Sequence, residues 1–276
     1  MSPASPPPSA RYLAALRESA ESMLGEPVRP GTMVVVDRDR AGTGTATCYP
    51  TPGASIVWCD ADVAERLSSV ASSSPLSAAE FVAAAERLGA QLVGYGHNRV
   101  LDAAPRRPDA DADELVVRHV TGDKAIDKAI DEAIDEGIGG NVGAIEPIGE
   151  EVISMLAALI ADCDPDDVDE ADLDLDQLDP AITLLVASDG TIAAYASGRP
   201  QELDPLLDDV AVLTHPEWRG RRLGALAVYE FVRRRQSEGR RLLYRCNVDN
   251  LASNRVAETL GFTLSTTIGA VSFPTE

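Results

Sequence analysis

The chain has 276 residues, 45% of them apolar, and a formal net charge of −21, enough length and apolar content for two modest domains or one large one with a real core. That acidity argues against nucleic acid and anionic membranes as partners of the molecule as a whole. Lysine occurs only at Lys124 and Lys128 and every other basic residue is arginine, a balance that a salt-rich cytosol or GC-rich coding would each produce. Cys48, Cys59, Cys163 and Cys246 show neither CxxC pairing nor ligand spacing, so buried free thiols, no bound metal and a cytoplasmic home are expected.

Residues 1–10, with SPASPPPSA, carry no basic start and no apolar stretch and read as a disordered tail. Residues 11–101 read as an α/β accessory domain. Tyr12, Leu13, Leu16, Ala20, Met23 and Leu24 recur at helical spacing up to Gly25 and Pro27. Strands are expected over Met33 to Asp37 and Ala54 to Cys59, joined by GTGTATCYPTPG as a turn-rich connection. Asp60 is placed to cap a helix over Val63 to Val70, and Ser77 with Glu80 forms a capping box for another that reaches Leu88. Gln91 to Tyr95 then reads as a strand. Trp58, Cys59 and Asp60 are the most distinctive local group, read as a packed strand end.

Residues 102–113, DAAPRRPDADAD, have the polar, proline-bearing composition of a linker, and 114–276 form the second domain. Its first strand is expected over Leu115 to Val120. KAIDKAIDEAIDEG sets Ile126, Ile130 and Ile134 along one stripe of a surface helix. Gly137, Gly139, Gly140 and Gly143 miss the dinucleotide spacing. Glu151 to Ala161 is an apolar helix, and Asp162 to Asp179 follows with no basic residue at all. An EF-hand fails there, because Asp167 and Leu173 stand where Gly and Glu belong. A solvated acidic loop, or a rim that collects cationic amines, are the readings left open.

Ile182 to Ala187 and Ile192 to Ser197 flank an Asp189-Gly190 hairpin turn. The next stretch, DDVAVLTHPEWRGRRLGA from Asp208 to Ala225, runs strand, cationic glycine turn, helix. Val210, Val212 and Thr214 alternate along the strand; Leu226, Tyr229, Phe231 and Val232 recur at helical spacing up to Glu238. A helix start of this kind leaves backbone N–H groups unpaired and favours a phosphate or pyrophosphate, with Arg219, Arg221 and Arg222 beside it. Leu242 to Asn247 reads as a strand, Ala252 to Leu260 as a helix and Thr263 to Phe273 as the closing strand.

HPEWRGRRLGA resembles the acetyl-CoA pyrophosphate loop of the GNAT N-acetyltransferase superfamily, with Arg219 first, Gly224 last and Arg222 where the middle glycine usually stands. Asn250 to Ser253 followed by Ala257 to Phe262, ETLGF included, resembles the family's closing signature. The resemblance covers about Ile182 to Phe273. It implies an α+β fold, a mixed and mostly antiparallel sheet flanked by helices, preceded by the smaller α/β domain. It is also compatible with the first half being a degenerate second copy.

The same resemblance implies acetyl-CoA as co-substrate and an amine, small molecule or peptide, as acceptor. Arg219, Gly220, Arg221, Arg222, Leu223, Gly224 and Ala225 would receive the diphosphate, Val212, Leu213 and Thr214 the pantetheine arm, and Asn250 and Ser253 would hold the arm from the other side. Acyl transfer also needs a base for the amine, for which Asp208 is the first candidate and Asp209, on the other face, the second. The thiolate needs a proton. Ala257 stands where many relatives keep a tyrosine, leaving Ser253, Tyr244 or water. A non-catalytic acyl-CoA-binding or sensing module on the same fold is the alternative.

Overall fold

The structure, a computed structural model, describes residues 8–121, 145–201 and 204–274. It consists of two units: Met1–Asp102 with Arg245–Leu251 and Thr263–Glu276, and Ala103–Tyr244 with Ala252–Phe262. Both have the α+β character expected, a mixed and mostly antiparallel array of strands with helices against it. The KAID repeat and the glycines after it lie outside the described residues.

In the first unit α1 (Pro8–Leu24) precedes β1 (Gly31–Val36), β2 (Thr45–Thr51), β3 (Ala54–Cys59), α2 (Ala61–Leu67), α3 (Ala78–Glu86) and β4 (Gln91–Val100), and β11 (Thr263–Ser272) joins them from the far end of the chain. The strand order is β1-β3-β2-β11-β4, with β1 and β3 parallel and the other pairs antiparallel. Asp60 caps α2 by accepting from the Asp62 N–H at 2.9 Å, and its other oxygen takes the Gly44 N–H at 3.0 Å. These bonds hold its carboxyl below the usual carboxylate range, the Asp62 bond foremost. The capping box of Ser77 and Glu80 is present on α3. One core gathers Cys48, Val57, Cys59, Leu67, Phe81 and Val271, among others, between the sheet and α2–α3. Burial pushes the Cys48 thiol up to about 12, so it is inert as a nucleophile.

Two expectations change here. The stretch read as a turn-rich connection contains β2, because only its ends turn, through positive φ at Gly42, Gly44 and Gly53, while TATCYPT between them pairs on both sides. β11, counted in the second half from sequence, pairs with β2 and β4 of the first unit.

The second unit runs β5 (Val116–Thr121), β6 (Ile145–Pro147), α4 (Glu150–Asp162), α5 (Pro165–Glu170), β7 (Ala181–Val186), β8 (Ile192–Gln201), β9 (Asp204–Thr214), α6 (Leu223–Ser237), β10 (Arg241–Asn247) as far as Tyr244, and α7 (Leu251–Leu260) from Ala252. The order is β10-β9-β8-β7-β5-β6, antiparallel through β7, β8 and β9. β7 and most of β8 are buried throughout, which is why they read as mainly apolar runs broken only by residues such as Thr183 and Ser197. One face packs Ile182, Leu184, Tyr195 and Leu213 under Leu156 and Leu159 of α4. The other lies under α6, close enough that a Cβ on Gly198 would stand 2.8 Å from Phe231. β9 and β10 are parallel, so their connection crosses over as a helix, α6.

Residues 103–113 do not hang free as a linker. The Arg106 N–H donates to Leu260 O (3.0 Å), Gln236 Nε2 to Ala103 O (3.2 Å) and Arg222 Nη1 to Asp109 O (3.2 Å). The segment is a strap bound along the second unit.

Candidate functional site

The parallel pairing of β10 with β9 runs from Arg241 beside Leu207 to Tyr244 beside Val210 and goes no further. Ala211, Val212, Leu213 and Thr214 pair with β8 on one side only, opposite Ser197, Ala196, Tyr195 and Ala194. Alternate N–H and C=O groups of these four residues therefore face an edge to which no other strand is bonded among the described residues. Backbone polar groups on such an edge require a partner, and an extended chain with amides of its own would supply it.

The end of β9 leads to a short turn, in which His215 Nδ1 accepts from the Glu217 N–H at 3.2 Å, and then to α6. Gly220 has φ +80° and Arg222, the residue before the helix, has φ +61°. Two left-handed residues so close turn the chain sharply, with Arg222 O accepting from the Leu226 N–H at 3.1 Å. The N–H groups of Leu223, Gly224 and Ala225, in the helix's first turn, have no acceptor among the described residues. Unpaired N–H groups at a helix start, together with the helix dipole, favour a negative charge. Gly224 is required for a packing reason, since a Cβ there would stand 2.6 Å from Thr214 Oγ1 and 3.4 Å from Val212 Cγ2. Helix start and strand edge are thus pressed together at the end of β9.

The loop's arginines are already engaged. Arg219 donates from Nε to Thr214 O (3.2 Å) and from Nη2 to Asp167 (2.7 Å). Arg221 lies over the Trp218 ring, 4.8 Å from its centroid, and its carbonyl accepts from the Asp111 N–H. Arg222 reaches Asp109 O.

Asp208 and Asp209 separate as alternation requires. Asp208 is fully buried on the α6 face, with one oxygen accepting from Arg235 Nε at 2.6 Å and the other taken by the Arg240 guanidinium. Both oxygens serve to tie β9 to the end of α6, and neither is presented to an incoming amine. The sequence placed a general base here; the structure puts an ion-paired anchor in its place. Asp209, half-buried, lies on the face of α4 and accepts from Gln201 Nε2 at 3.0 Å.

Past the end of the β9 ladder, Tyr244 Oη and Ser253 Oγ are 2.9 Å apart, joining β10 to the first turn of α7. The Tyr244 ring packs on Phe262, centroids 5.4 Å apart, and Ala257, on α7, is fully buried. The Asn250 N–H donates to Asn247 O at 3.1 Å.

The acidic stretch 162–179 is not a loosely solvated loop. Asp164 and Asp174 cap α5 and a short 3-10 turn, Leu175–Gln177. Asp162 lies 3.3 Å from His215 Nε2, and Asp167 holds Arg219. Arg199 binds Asp172 and Asp179, at 3.0 and 2.7 Å, and Asp179 also accepts from Ser197. Six of the carboxylates thereby have structural partners. Sequence reading missed these pairings, and the strap at 109–111, because nothing local marks a contact between residues so far apart in the chain. Among the described residues no group of three His, Cys, Asp or Glu is arranged to hold a metal ion, and no helix is long and apolar enough to cross a membrane.

Residues 153–262 match the acetyltransferase (GNAT) family. Among solved structures the chain is similar to a GCN5-related N-acetyltransferase from Sphaerobacter thermophilus, at 18% identity and a TM-score of 0.41, covering 70% of this chain and 55% of that one. A GCN5-related N-acetyltransferase from Kribbella flavida matches at 16% identity and a TM-score of 0.43, covering 71% and 64%. A tandem GNAT protein from the clavulanic acid biosynthesis pathway matches at 16% identity and 0.43, covering 73% and 61%. The matches therefore span less than two thirds of the length of these three structures. No curated protein matches the chain.

Proposed function

We propose that this chain, whose residues 153–262 match the acetyltransferase (GNAT) family, transfers an acetyl group from acetyl-CoA to an amine. The observation that carries the reading is the continuous path from the free edge of β9, Ala211 to Thr214, to the unpaired N–H groups of Leu223 to Ala225. A diphosphate suits the helix start, and an arm with two amides suits a strand edge; coenzyme A joins the two. A backbone N–H on that edge would also polarise the thioester carbonyl, fixed in place before the reaction begins.

The attacking amine has to lose its proton, since alkylamines are mostly charged at neutral pH. With Asp208 held by two arginines, this role passes in our reading to Asp209, which is half-buried and on the opposite face. Free cysteines throughout support a cytoplasmic setting. Calorimetry with CoA tests the binding half, and release of free thiol from acetyl-CoA in the presence of a panel of small-molecule and peptide amines tests the transfer half. Heat of binding without thiol release on any amine would favour the second reading, a non-catalytic acyl-CoA-binding module. The ion-paired Asp208 and the alanine at position 257 are the observations on its side.

A further inference from the structure

The strap at 103–113 ends beside the start of α6. Bonds from Gln236 Nε2 to Ala103 O and from Arg222 Nη1 to Asp109 O lay it along that helix from the last turn back to the first. The Asp111 N–H then donates to Arg221 O at 3.4 Å, which fixes the strap to the loop itself. Arg221 stands two residues before Leu223, so the Asp111 carboxylate stays within about 13 Å of the Leu223 N–H however its side chain turns. The strap uses only its main chain in these bonds, and its acidic side chains are left over. Asp109, Asp111, Asp113 and Glu114 are exposed, and none has an ion-pair partner among the described residues. An anion at the start of α6 therefore has N–H groups before it and carboxylates without counter-charges at its flank.

We propose that the acidic end of the strap selects against the 3′-phosphate of the coenzyme, so that the site binds the 3′-dephospho form more tightly than CoA. This rests on the coenzyme reading above. The two forms share the pantetheine arm, the diphosphate and the adenosine, and so share the strand edge and the helix start. They differ by one phosphomonoester, which carries close to two negative charges at neutral pH. That group is one sugar away from the diphosphate. Whichever way the adenosine turns, it stays inside the roughly 30 Å over which exposed charges act at about 0.01 M salt. Arg219, Arg221 and Arg222 pull the phosphate in, but Asp167, Glu217 and the four strap carboxylates outnumber them, and Asp167 already holds Arg219. Arg106 and Arg107 lie further back along the strap, where the Arg106 N–H meets Leu260 at the end of α7. Like charges set side by side discriminate between ligands that share every other contact.

Calorimetry with CoA and dephospho-CoA on the full chain tests this without an acceptor. At about 0.01 M salt the wild type should bind dephospho-CoA about fivefold more tightly, and at about 1 M salt the preference should fall below about twofold. Asp109→Asn with Asp111→Asn, which leaves the strap's main-chain bonds in place, should bring the low-salt preference below about twofold. Glu150→Gln removes an exposed charge from α4, on the opposite face of the sheet from α6, and should leave the preference as it was. A wild type that binds CoA as tightly as dephospho-CoA at low salt overturns the proposal, and a clear preference for CoA would mean that Arg106 and Arg107 reach the phosphate instead. A preference that survives in the double variant, does not shrink with salt, or is lost equally in Glu150→Gln overturns it too. A wild type that binds neither compound defeats the coenzyme reading itself, and this inference with it.

Discussion

Gly224 stands against Thr214 so closely that a single added carbon would meet the hydroxyl at 2.6 Å. The contact joins the start of α6 to the last residue of β9, the two surfaces that the coenzyme is proposed to touch. Threonine is branched at Cβ and has little freedom to turn away. Gly224→Ala is therefore expected to cost about 1–3 kcal/mol and to weaken CoA binding, through displacement of the helix start. Removing the obstruction with Thr214→Ala in the same chain should restore much of both. A double-mutant cycle in urea and by calorimetry reads the coupling; strict additivity of the two changes would show that the contact is not what makes glycine necessary.

Asp208 is expected to matter for stability more than for turnover. Asp208→Asn takes away the counter-charge that Asp208 gives the buried Arg235 guanidinium, which keeps Glu238, and its neighbour Arg240, a change that costs up to about 3–5 kcal/mol in buried pairs of this kind. Urea unfolding should show that loss, while the protein that remains folded keeps its turnover within about threefold. A variant as stable as the wild type but with turnover collapsed would return Asp208 to the chemistry.

Where local physics decides, the sequence was readable. Ser77 with Glu80 announced a helix start, Asp60 announced another, and the alternation of Val210, Val212 and Thr214 located the strand on which the site is built. The turn from Arg219 into α6 was legible because glycine and arginine after a proline interrupt the strand and apolar residues at helical spacing follow. The partners of Asp208 were not legible, since Arg235 and Arg240 are 27 and 32 residues away and only α6's crossover returns them to β9. Nor was the choice of β11, whose pattern suits either unit and whose place is decided by the neighbours it finds, β2 and β4. The acidic stretch misled for a related reason. Composition shows carboxylates but not the Arg199, His215 and Arg219 that engage them.

Arg222 holds a left-handed conformation, φ +61°, which costs a side-chain-bearing residue roughly 1–2 kcal/mol and glycine almost nothing. Against that stands one exposed hydrogen bond to Asp109 O. Arg222→Gly should raise stability by about 0.5–1 kcal/mol after the loss of that bond. CoA affinity should stay within about threefold, because the peptide N–H at this position survives and only one peripheral charge is removed. The midpoint of urea unfolding at unchanged slope checks the first, and calorimetry the second. A large loss of affinity would mean that the guanidinium leaves Asp109 to bind the coenzyme directly.

His119 makes stability depend on pH. It is 4% exposed on β5, with Nδ1 at 2.9 Å from Thr183 Oγ1, and burial together with the nearby charges of Arg234 and Arg233 lowers its pKa from 6.5 to about 4. The folded chain thus binds this proton more weakly than the unfolded chain does. Above the unfolded value the ring is neutral in both states and nothing is lost. As the pH falls from about 6.5 toward about 4 the unfolded chain gains the proton first, and folding loses about 3 kcal/mol, a loss that stays constant below the folded value. Carboxylates titrate through the lower part of the same range, so the comparison is with His119→Gln, which has an amide in place of the ring. The difference in unfolding free energy between the two proteins should shrink in the wild type's disfavour across that window. If it stays flat from about pH 7 to about pH 4, His119 is not held neutral by its surroundings.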